Sequence, residues 1–134
     1  MAWFRSRDGA ILLSAVAFLA FIERAFLDWR FVFAEFVPDT DIATTALAMG
    51  FYVAVSGTWL WALAAAARGG RGGIVALLVL SLLLLVGLGI GTLVSFCPSV
   101  CQTAWPLGEL SNWAGLVIGL LAAAATGLQL RGPR

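Results

Sequence analysis

The chain has 134 residues, 62% of them hydrophobic and 11% charged, with a formal net charge of +1. Soluble domains carry about 25% charged residues, so this composition cannot cover a water-facing surface, and the small net charge argues against a nucleic-acid partner. Neither His nor Lys occurs, which removes imidazole ligation of haem or chlorophyll, the usual general base and Schiff-base chemistry.

The length allows one domain, and the charges fall almost entirely in the gaps between apolar stretches. A helix needs about 20 apolar residues to cross a hydrocarbon layer roughly 30 Å thick. The first stretch, residues 9–22, is short for a span. It continues through Glu23, Arg24, Asp28, Trp29, Arg30 and Glu35 as far as Pro38. This predicts one long helix, about residues 9–36, whose last turns reach the outer interface. Arg5 and Arg7 before a short apolar run also suit a signal peptide. No small-residue cleavage site follows, so the helix is expected to be retained.

At 100° per residue, Arg24, Asp28 and Glu35 share one helix face, while Glu23 and Arg30 share another. Arg24 and Asp28 have the i, i+4 spacing of an ion pair. Ionisable groups near the hydrocarbon layer must pair, snorkel or face protein. The cluster of Glu23, Arg24, Asp28, Arg30 and Glu35 therefore reads as a self-neutralising interface group, a contact for a partner subunit, or a proton or ion site.

The second span is expected at about residues 42–67, with Ala46, Gly50 and Ala54 at four-residue spacing, followed by Gly57. The turn Arg68-Gly-Gly-Arg71-Gly-Gly lacks the Lys-Ser/Thr ending of a phosphate loop and reads as a flexible connection. The third span, about residues 73–96, carries Gly87, Gly89 and Gly91. Its Leu-rich stretch from Leu77 to Leu85 is expected to face lipid or another subunit. The fourth, about residues 110–130, carries Gly115 and Gly119. Lipid supplies no hydrophobic drive for helix association, so small residues that permit close backbone approach are the expected packing positions. These are Gly50, Gly87, Gly91, Gly115 and Gly119. The six tryptophans are expected at the membrane boundaries, with Trp59 and Trp61 toward the inner end of the second span.

Basic residues set the orientation. Arg5, Arg7, Arg68, Arg71, Arg131 and Arg134 flank one set of helix ends, whereas Pro38–Asp41 and Cys97–Glu109 contain none. Basic residues accumulate on the cytoplasmic side. The expected fold is an all-α, antiparallel bundle of four transmembrane helices in a bacterial or archaeal cytoplasmic membrane. Both termini are cytoplasmic, and the 1–2 and 3–4 loops are extracytoplasmic.

The only two cysteines, Cys97 and Cys101, lie in the 3–4 loop. An oxidising compartment and a short loop predict a structural disulfide. Four helices with an outer cysteine pair are similar to membrane thiol oxidases that pass electrons to quinone, namely the vitamin K epoxide reductase-like proteins and bacterial disulfide-bond oxidases. That likeness would make the pair redox-active. The spacing here is C-x-x-x-C rather than C-x-x-C, however, and there is no second cysteine pair and no nearby cation to lower a thiol pKa. Two thiolates without His are a poor metal site. No catalytic or metal residue and no cofactor is predicted, and contact with lipid, quinone or pigment stays open.

Three functions follow. The preferred one is a non-catalytic structural or accessory subunit of a larger membrane complex (respiratory, photosynthetic or transport), with the bilayer and other membrane subunits as partners. The second is a small thiol–quinone oxidoreductase using Cys97 and Cys101. The third is an oligomeric transporter or channel built around Glu23 and Arg24.

Overall fold

The computed structural model describes residues 3–27, 42–94 and 105–131, without the side chains at 27, 42, 44, 91–94 and 105–110. A 3-10 turn at Trp3–Arg5 leads into α1 (Arg7–Leu27), followed by α2 (Ile42–Ala67), α3 (Arg71–Val94) and α4 (Trp105–Arg131). All four α-helices are long and apolar enough to cross a membrane.

Helix α4 begins about a turn before the expected residue 110. Helical backbone does not require apolar side chains. Pro106 falls in the first turn, where its missing N–H has no intrahelical acceptor to lose. Helix α3 likewise begins at Arg71, two residues before the apolar run. Of the long first helix expected from the sequence, residues 28–36 lie outside the described residues, as do Asp28, Arg30 and Glu35.

The start of α1 is set by Ser6. Its Oγ accepts from the Gly9 N–H at 3.0 Å and donates to the Trp3 carbonyl at 2.6 Å. This is an N-cap that also closes the preceding turn. The end of α2 is a paired C-cap. Gly70 N–H donates to Ala65 O at 2.9 Å, and Gly69 N–H donates to Ala66 O at 3.1 Å. Gly69 takes φ +95°, the left-handed conformation this motif requires. Glycines in the α2–α3 turn also let two backbones meet: a Cβ on Gly73 would sit 2.3 Å from the Ala66 nitrogen and 2.8 Å from the Ala62 oxygen. The turn is a fitted cap rather than a slack tether.

The four helices pack as a bundle. Helix α4 lies between α1 and α3 and has the broadest contacts, α2 leans on α3, and its seam with α1 is thinner. The core combines Ala17 and Phe21 of α1, Trp59, Ala62 and Ala66 of α2, Ile74, Leu77, Leu80, Leu84 and Leu88 of α3, and Ala122 of α4. Trp59 is the largest fully buried side chain among the described residues, with the ring centroids of Phe18 and Phe21 each 5.7 Å away.

Three sequence expectations need correction. Trp59 is only 1% exposed, a core residue rather than a boundary one, because the 3.6-residue helix repeat turns it toward α1 while Trp61 faces out. The Leu-rich stretch of α3 does not face lipid as a block. Leu77, Leu80 and Leu84 are buried while Val79, Leu82 and Leu83 are exposed, so it divides by helix face. Of the expected packing glycines, Gly115 and Gly119 lie against Leu88 and Leu85, but a Cβ on Gly50 or Gly87 would meet nothing within 4 Å. Within one chain neither Gly50 nor Gly87 is a helix contact. The side-chain position of Gly91 lies outside the described residues.

Candidate functional site

Polar groups occur in three layers along the bundle. At one end, Arg24 of α1 donates from a terminal guanidinium nitrogen to Asn112 Oδ1 of α4 at 2.7 Å. Arg24 is half-buried and Asn112 is 5% exposed. An arginine at the edge of a hydrocarbon layer is costly unless protein receives it. Here the amide oxygen supplies a charge-assisted hydrogen bond that also ties α1 to α4. Glu23, the next residue on α1, is exposed.

At the opposite end, two arginines at helix starts reach across to neighbouring helix ends. Arg7 donates from Nε to Ala66 O at 2.9 Å and from a terminal nitrogen to Gly70 O at 3.3 Å. Arg71 donates to Leu130 O at 3.3 Å, and the Gln129 amide donates to the Arg5 carbonyl. A cation at a helix N-terminus opposes the helix dipole, whereas one at a C-terminus complements it. Arg7 and Arg71 thus place their charge on the favourable end of the adjacent helix and satisfy carbonyls that helix termini leave open. Asp8 lies in the first turn of α1, where its sign suits that end.

Arg7 and Arg24 are 17 residues apart on α1, about 26 Å at 1.5 Å per residue. Asn112 and Gln129 have the same separation on α4. The polar ends are therefore spaced by nearly one hydrocarbon thickness.

Between the ends, Ser14 and Ser81 hydroxyls and the Trp59 indole N–H are buried and, among the described residues, make no hydrogen bond. Thr126, equally buried, donates to Ala122 O at 2.7 Å within its own helix. Each unpaired group costs on the order of 1–3 kcal/mol relative to a bonded one.

The structure joins only part of the charge cluster expected on helix 1. Arg24 goes to Asn112, Glu23 faces outward, and Asp28, Arg30 and Glu35 lie outside the described residues. Cys97 and Cys101 also lie outside them. Among the described residues, no group of His, Cys, Asp and Glu could hold a metal. Asn112 was missed by sequence reasoning. An amide just inside the fourth span, in a segment otherwise nearly free of strong polar groups, was the available signal.

A further feature emerges on α2, the least buried of the four spans. Ala46, Leu47, Gly50, Ala54 and Gly57 are all exposed along it, and Gly50 and Gly57 face open space.

No family model, no curated protein and no solved structure matches this chain. The fold and its polar layers define a class: a small all-helical membrane protein built as a four-helix bundle.

Proposed function

We propose that this chain is a non-catalytic structural or accessory subunit of a larger membrane complex. The exposed face of α2 carries the reading. Ala46, Gly50, Ala54 and Gly57 form an exposed stripe of small residues, with no helix against it among the described residues. Small residues contribute little when they face lipid, and they favour close approach of another helix. Tight pairing of the other helices, above all α3 with α4 and α1 with α4, leaves α2 as the side free to receive a partner.

The arrangement we propose is antiparallel, with both termini and the Arg68–Arg71 turn cytoplasmic. The cross-helix bonds of Arg7 and Arg71 support it, since each joins a helix start to a neighbouring helix end. So does the gathering of basic residues at that end. The 3–4 loop then faces an oxidising compartment, in which Cys97 and Cys101 close a structural disulfide. In this reading Arg24 is an interhelical pin rather than part of a transport path, consistent with its bond to Asn112.

Extraction of the native membrane in a mild detergent tests the subunit role. The expected result is co-purification of one defined membrane partner at fixed stoichiometry, lost on Gly50→Leu while the isolated bundle keeps its helix content. A stable, homogeneous monomer from native membranes would contradict it.

A further inference from the structure

We propose that the arginine-rich end of the bundle is a binding site for the phosphodiester headgroup of an anionic phospholipid, centred on Arg68, Arg71 and Arg131 with Arg5 and Arg7 beside them. The backbone and side-chain bonds already described link these residues into one continuous rim. Arg7 reaches Gly70, Arg71 reaches Leu130, and Gln129 reaches Arg5. Five arginines thus gather at one end, with Asp8 the one acid among the described residues there.

The local chemistry separates two jobs. Arg7 and Arg71 are held by helix carbonyls, which fixes them in place while leaving guanidinium N–H groups over. Arg5, Arg68 and Arg131 are exposed and, among the described residues, their guanidiniums make no hydrogen bond or ion pair. A guanidinium presents a planar fork of donors that matches two phosphate oxygens at once. Unneutralised cations on a fitted turn therefore complement an anion rather than a neutral surface.

Trp3 points to the bilayer as the source of that anion. It is 52% exposed on the 3-10 turn beside the rim, and an indole favours the boundary where an apolar body meets a polar tip. The arginines begin where the apolar spans end, at headgroup level. A juxtamembrane Lys or Arg contributes about 1 kcal/mol toward an anionic surface, so removing two should weaken binding about 20- to 30-fold.

The inference does not depend on the subunit role, because it is read on the isolated chain. Native mass spectrometry in detergent would compare phosphatidylglycerol with phosphatidylcholine, with inorganic phosphate as competitor. We expect phosphatidylglycerol to bind at least tenfold more tightly, and phosphate to displace it poorly. Arg68→Gln with Arg131→Gln should erase that preference with helix content unchanged, whereas Glu23→Gln at the opposite end should preserve it. If the double variant does not fold, Arg68→Gln alone should weaken binding about fivefold. Equal affinity for the two lipids, a preference that survives the arginine substitutions, or full displacement by inorganic phosphate (a soluble-anion site) would each overturn the proposal.

Discussion

The bond from Arg24 to Asn112 brings one strongly polar side chain from each of two spans to the same level. Either residue alone would be a liability in an apolar layer. Together they make an interhelical link between α1 and α4 at one end of the bundle. Such links in membrane proteins are worth about 0.6–2 kcal/mol. A double-mutant cycle with Arg24→Gln and Asn112→Ala should therefore show a coupling of about 1 kcal/mol in unfolding experiments; additive effects would show that the two side chains act independently. The buried serines lead to the opposite expectation. Among the described residues, Ser14 and Ser81 hydroxyls make no hydrogen bond, so Ser81→Ala should leave stability unchanged or raise it by about 1 kcal/mol. A loss larger than that in thermal melts would mean the hydroxyl is bonded in the membrane. At this scale the sequence was least informative. Composition marks Arg24 as needing a partner, but only the rotation and depth of α4 reveal Asn112 as that partner. Trp59 was misplaced for a related reason, since tryptophan suits both a boundary and a core, and helix rotation decides between them.

At the scale of elements, glycine's role depends on what faces it rather than on its spacing. Gly73 lies against the α2 backbone, with the nearest atoms those of Ala62, Ala65 and Ala66. Because that backbone cannot retreat, Gly73→Ala should cost about 1–3 kcal/mol and disturb the α2–α3 turn. Gly87 faces open space, so Gly87→Ala should be neutral or gain up to about 1 kcal/mol through helix propensity. Equal losses at the two positions in a detergent melting series would undermine this distinction. The positions of α2 and α3 were readable because uncharged runs are physical requirements of a membrane span. The start of α4 was less readable, since its first turn is helical without being apolar. The small-residue spacing shared by Gly50, Gly87, Gly115 and Gly119 could not separate the glycines packed inside this chain from those facing outward. That difference arises only when four helices choose their rotations together.

For the whole molecule, two polar ends are separated by about 26 Å along α1 and joined by helices whose exposed surfaces are largely apolar. One end is a rim of arginines that caps neighbouring helices. The opposite end has the Arg24–Asn112 link, and α2 leaves a small-residue face uncovered. Stability and the proposed association thus fall on different surfaces: Trp59, Ala62 and Ala66 join α2 to the core of the bundle, while the opposite, small-residue face of α2 is the one proposed to receive a partner. A photoreactive residue placed at Leu47, which is 78% exposed on that face, addresses this division directly. Irradiation of native membranes should cross-link Leu47 to one defined membrane protein, whereas the same group at Leu83 on α3 should give lipid adducts. Lipid adducts alone at both positions, or cross-links only to a second copy of this chain, would contradict the assignment of α2 as the docking face of an accessory subunit.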